Sequence, residues 1–341
     1  MSTITKMKKL GLALAMSVAC SAQAATELTV YTAFEAEDLK RYAAEFNKQN
    51  PDIKINWVRD STGIVTAKLL AEKENPQADA VWGLAATSLL VLKAENMLQP
   101  YKPQGLEKLS PKFYDKDATP SWVGMDAWMA ALCFNTVEAE KLNLPKPTSW
   151  QDLTNPVYQG HIIMPNPSSS GTGFLDVSSW LQMFGEEKGW AYMDSLNNNI
   201  ARYTHSGSKP CKLAASGEVA IGISFAFRGA KLKNQGAPID LIFPTEGLGW
   251  DMEAAAIIKG SKNQAAAKKL MDFAISEEAN RAYNQGFAVV AIPGLAQPVK
   301  HFPENAAELM IDNDFEWAAN NREAILKEWQ GRYDSKSEPK E

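Results

Sequence analysis

Between residues 28 and 95 the chain alternates three times between a short β-forming run and an amphipathic helical one. That order constrains the fold to a parallel α/β sheet. Leu28, Val30 and Tyr31 fall in a first buried strand over 28–31, and Leu39, Tyr42, Ala43 and Phe46 recur at helical spacing until Pro51 stops them. Ile53, Ile55 and Trp57 alternate with polar residues, which predicts a strand over 52–58. A helix over 61–73, a strand over 79–82 and a helix over 87–95 follow. In such sheets ligands sit beyond the carboxyl ends of the strands, so the turns at 32–35, 60–63 and 83–87 are where function is expected.

Farther on, an apolar strand over 130–134 is a candidate crossing into a second domain. Strands are expected at 161–164, 219–225, 239–243 and 254–258, with helices at 186–196, 263–276, 278–283 and 316–329. Pro210 suits the first turn of a helix ending at Ser216, where a missing N–H is not needed. The charged tail, residues 334–341, is expected to be disordered.

Residues 1–24 read as an export signal: Lys6, Lys8 and Lys9 precede a short apolar run, and Ala22-Gln23-Ala24 supplies a small-x-small cleavage pattern. Cleavage leaves 32 basic residues against 40 acidic ones, a net charge of −8, which disfavours nucleic acid or an anionic membrane as partner. The expected location is the periplasm. Cys133 and Cys211 remain, and in an oxidising compartment they either pair or stand as two buried thiols. The histidines, at 161, 205 and 301, make no zinc-like spacing with them, and neither a metal nor a cofactor is expected.

Three clusters of small hydroxyl residues and glycine each open a predicted helix. They are Ser61-Thr62-Gly63, the run from Ser168 to Gly173 containing Ser170-Gly171-Thr172, and Thr204 to Ser208 containing Ser206. Helix N-termini carry unpaired N–H groups and the positive end of the macrodipole, so such ends either cap the helix or receive an oxyanion. Trp250 and Asp251, following a flexible Gly247-Leu248-Gly249, could cradle a cation by face and charge. Glu35 in the first turn and Phe225, Phe227 and Trp128 near strand ends are supporting candidates. Arg228 could clamp an oxyanion, or equally face solvent or pair with a carboxylate at a helix start. Thr32 and Thr87 complete the set from their turns.

Catalytic signatures are weak. Ser206-Gly207-Ser208-Lys209 fits S-x-x-K, but the companion S-D-N and K-T-G elements are missing, and Gly222 to Ala226 lacks the final glycine of G-x-S-x-G. A serine acyl-enzyme of the cell-wall type is therefore a distant alternative, and no enzyme is expected.

The stretches around residues 28–33, Pro147 to Leu153 and Ser170-Gly171-Thr172 resemble the iron-binding-like group of periplasmic solute-binding proteins that serve ABC importers. Within that group residues 58–63, 81–86, 165–173, 203–211 and 249–253 look most like the 2-aminoethylphosphonate-binding proteins. The group's iron ligands, adjacent tyrosines, have no counterpart: Tyr192 and Tyr203 stand well apart. The resemblance implies an α/β, two-lobed type II periplasmic binding protein fold with a hinged ligand cleft. Lobe one would be 26–127 plus 251–288, and lobe two 128–250 plus 289–333. It implies a monomer that binds a small zwitterionic phosphonate and delivers it to an inner-membrane ABC permease. Ser61, Thr62, Gly63, Ser170, Gly171, Thr172 and Ser206 would hold the phosphonate. Glu35 or Asp251 would meet the amine, with Trp250 or Phe225 walling the cleft. Phosphate, another phosphonate or an organic sulfonate would use the same clusters.

Overall fold

A computed structural model describes residues 25–339; the predicted export signal and the last two residues lie outside the described residues. The chain runs β1 (Thr26–Thr32), α1 (Ala36–Gln49), β2 (Ile53–Arg59), α2 (Thr62–Ala71), β3 (Ala80–Ala85), α3 (Ala86–Ala94), β4 (Leu98–Gln99), β5 (Val123–Asn135) and α4 (Thr136–Leu142). Then come β6 (Ile162–Pro165), α5 (Gly171–Phe184), α6 (Glu186–Asn199), β7 (Ile200–Thr204), α7 (Lys209–Ser216), β8 (Ile221–Phe225), α8 (Ala226–Asn234) and β9 (Ile239–Ile242). The last elements are β10 (Trp250–Ile258), α9 (Gln264–Ala274), α10 (Glu277–Tyr283), β11 (Val289–Val290), α11 (Phe315–Asn320) and α12 (Arg322–Tyr333).

The strands form one mixed sheet in the order β2-β1-β3-β10-β5-β8-β6-β7, with β11 and β9 also pairing β5 and β4 pairing β10. The parallel βαβ start was readable because each strand is followed by a helix with one apolar face. The organising element is β5. Its N-terminal half pairs with β10 and β11, and its C-terminal half pairs with β8 and β9. All 13 of its residues are buried, which explains an apolar run on both faces rather than an alternating one. The strand expected at 130–134 is thus longer, because the polar-looking Gly124 and Asp126 are carried inside the sheet.

Two further expectations are corrected. The single helix expected over 316–329 is two, α11 and α12, parted at Asn321; Asp314 opens the first by accepting from the Trp317 N–H at 2.8 Å. The tail expected to be disordered is ordered through residue 339. Its charges find partners: the Glu338 carboxylate accepts from the His205 N–H and from Lys209 Nζ, both at 2.6 Å, and Ser337 bridges to Tyr203 beside β7. Cys133 on β5 and Cys211 on α7 form a disulfide, both fully buried. Among the described residues no helix is long and apolar enough to cross a membrane.

Candidate ligand-binding cleft

The three hydroxyl clusters, more than 100 residues apart at the extremes, meet. Ser61 stands at the N-cap of α2 in extended conformation, yet its hydroxyl makes no capping bond. Ser170 does cap α5, its hydroxyl accepting from the Gly173 N–H at 3.3 Å. The turn before α7 is held from outside: Ser224 donates to the Gly207 carbonyl at 2.6 Å and Ser169 to the His205 carbonyl at 2.7 Å. Contact between clusters is close enough to demand glycine. A Cβ on Gly171 would lie 2.6 Å from Thr62 Oγ1, and one on Gly207 would lie 2.5 Å from Thr172 Oγ1.

Together they line a cavity of about 60 Å³ open to water centres. Ser61, Thr62, Ser170, Gly171, Thr172 and Ser206 all reach it. Gly63 does not, and its N–H is spent on the Ser169 carbonyl at 2.8 Å. Glu35 and Phe225 line the cavity as well, as do the aromatic candidates Trp128 and Phe227. Thr32 lies behind: its hydroxyl accepts from the Phe34 N–H at 3.1 Å and so shapes the turn that presents Glu35.

The candidates for a cation pole are placed differently from expectation. Trp250 is a core residue, its indole N–H donating to the Ile311 carbonyl at 2.8 Å and its ring set edge-on to Phe315. Asp251 closes the N-terminus of α3, accepting from the Ala86 N–H at 3.1 Å and from the Thr87 hydroxyl at 2.6 Å. Burial pushes its pKa up to about 7 against the pull of those bonds. Neither residue lines the cavity; Asp251 and Thr87 are engaged with each other. Arg228 is buried and paired with Glu35 at 2.6 Å and Glu37 at 2.9 Å, so of its three readings the structure takes the ion pair at a helix start. The guanidinium that reaches the cavity is Arg59, which sequence reasoning missed; its Nε donates to the Phe34 carbonyl at 2.9 Å.

Carboxylates were missed too. Asp38 on α1 and Glu253 on β10 line the cavity, and Asp126 on β5 is the cross-strand partner of Glu253. Both oxygens of Asp126 and Oε2 of Glu253 are buried without a hydrogen-bond partner among the described residues. Burial, then repulsion from Asp38, drives Asp126 well above the usual carboxylate range. Glu253 rises in the same way, through burial and then through Asp126 and Asp38.

Residues 84–317 match the family model for bacterial extracellular solute-binding protein. An uncharacterized protein of Haemophilus influenzae is 30% identical over 326 residues, 93% of this chain and 94% of its own. A Sinorhizobium fredii protein named as a probable ABC transporter periplasmic-binding protein is 26% identical over 86% of this chain and 82% of its own. A Salmonella typhimurium periplasmic protein provisionally named as 2-aminoethylphosphonate-binding is 23% identical over 67% of this chain and 66% of its own. Among solved structures, the periplasmic binding protein AfuA of Actinobacillus pleuropneumoniae, with fructose-6-phosphate bound, superposes with a TM-score of 0.84 at 30% identity, covering 91% of this chain and 99% of AfuA. The two-lobed type II fold expected from the sequence is therefore the fold observed. A family match over more than half of its length and a full-length relative place the chain among the bacterial extracellular solute-binding proteins, as a binding protein and not an enzyme.

Proposed function

We propose that this chain is the periplasmic receptor of an ABC importer and that its ligand is 2-aminoethylphosphonate. One observation carries the reading: three hydroxyl-bearing helix starts converge on a single small cavity. The N–H groups and hydroxyls there are neutral donors, which hold an oxyanion without a second charge to desolvate. Arg59 adds one guanidinium at the margin. At roughly 10–15 Å³ of such space per water, the cavity suits a ligand of few heavy atoms, as this phosphonate is. Thr62 comes from lobe one and Gly171 from lobe two, so a ligand held by both ends favours the closed form that the permease would read.

A second reading is a sugar phosphate, favoured by the fructose-6-phosphate found in AfuA. It would use the same oxyanion end. Calorimetric titration of the refolded, ligand-free protein with 2-aminoethylphosphonate, fructose 6-phosphate and inorganic phosphate separates the two. Selective binding of the aminophosphonate supports the proposal, and selective binding of the sugar phosphate transfers it to the second reading. Silence from all three would reject an oxyanion receptor.

A further inference from the structure

The cavity's acidic side has no occupant within the protein. Asp126 and Glu253 face each other across the β5–β10 ladder, and three of their four carboxylate oxygens are sealed from solvent with no donor among the described residues. Asp126 is fully buried, while Glu253 presents part of its side chain to the cavity. The other groups that face the pair are acidic or phenolic: Asp38, Glu35 and Tyr42 from the α1 side, and Tyr283 from α10. Nearby cations are already taken: Arg41 pairs with Asp38, Lys231 with Glu37, and Arg228 with Glu35 and Glu37. Among the described residues no group of three or more side chains is arranged to hold a metal ion.

We propose that Asp126 and Glu253 form the subsite for the ligand's ammonium group, and that the ammonium enters by displacing a proton from this pair to solvent. This rests on the receptor reading above and names the residues that select an amine within it. Two buried carboxyls without counter-ions share protons in the free protein, because ionising both would leave two like charges in a dry site. An ammonium brings one positive charge and several N–H donors, so a carboxylate forms against it while the displaced proton passes to the buffer. Charge balance within the cavity is unchanged. A hydroxyl tail, being neutral, would leave that proton in place. The hydroxyl clusters come from α2, α5 and the turn before α7, so the two ends of the ligand are read by separate elements.

The test is calorimetry of 2-aminoethylphosphonate and ethylphosphonate in two buffers of different ionisation enthalpy, on the wild-type protein and on Glu253→Gln and Asp126→Asn. The amine should bind about 10- to 100-fold more tightly than ethylphosphonate. Proton release on binding the amine should fall by about one in either variant, since the phosphonate's own protons cancel between proteins. Glu253→Gln should cost the amine more affinity than it costs ethylphosphonate. Equal wild-type affinity for the two phosphonates would overturn the inference and leave the receptor standing, and needs no variant. Unchanged proton release in the variants would overturn it as well. Binding of neither phosphonate would remove both the inference and the reading beneath it.

Discussion

Replacing Cys133 and Cys211 with alanine together should lower stability by about 4.5 kcal/mol. The two are separated by 78 residues. In the chain-entropy account, a cross-link removes about 2.1 + 1.5R ln n cal/mol/K from the unfolded chain, roughly 15 cal/mol/K for this loop. At 25 °C that is about 4.5 kcal/mol, and with ~2.1 cal/mol/K of unfolding entropy per residue the melting temperature should fall by roughly 7 °C. Both side chains are fully buried, so alanine leaves only a sulfur-sized void at each and adds little. Circular-dichroism melts of the wild type, the double variant and the wild type under reductant give the comparison. The two sulfur-free or reduced forms should agree. A shift under about 1 kcal/mol would refute the entropic argument; it would mean that the segment between them is held near its native geometry without the bond.

Four other outcomes are expected. If the proposed phosphonate is the ligand, Ser61→Ala and Thr172→Val should each weaken its binding about tenfold in calorimetry, by loss of one hydrogen bond to an anion. Arg228→Met should cost about 3 kcal/mol in denaturant unfolding, because it strands Glu35 beside the cavity; a loss below ~1 kcal/mol would show the pair to be screened by water. Deleting residues 334–341 should lower stability by about 1–2 kcal/mol through loss of the Glu338 contacts to His205 and Lys209. Stability should fall as pH rises from 5 to 8. Asp251 is raised to about 7 by burial, and Asp126, Asp176 and Glu253 are raised for the same first reason. The Asp251 proton stabilises the fold fully below the unfolded pKa near 4 and is lost as pH climbs through 7, and the other three act in the same direction. Melting temperatures that rise across that range would contradict the burial of these groups.

Much of this was legible in the chain, and the rest was hidden for identifiable reasons. The βαβ order and the hydroxyl clusters are local signals, so the first strands and helices and the positions of Ser61, Ser170 and Ser206 could be read directly. Asp126 could not: it sits alone in an apolar strand, and its partner Glu253 is brought to it only by the β5–β10 register. Trp250 and Asp251 misled because a glycine-rich stretch before them looks like an exposed loop, whereas β10 starts at Trp250 and carries both inside. Arg59 closes a strand whose periodicity says nothing about the cavity it borders. The charged tail looked unable to bury anything, yet Glu338 and Lys209 satisfy each other across 129 residues.

β5 and β10 have one more consequence. Of the two, β5 continues unbroken from its pairing with β10 and β11 into its pairing with β8 and β9, so the two ends of the sheet are joined by a stiff ribbon and not by loose cords. Opening then spreads as small twists over several rungs, and the ribbon resists like a leaf spring. Its stiffness can be altered rung by rung, with the ligand's own contacts left untouched. Receptors built on this frame can therefore retune how readily they open while still selecting the same cargo.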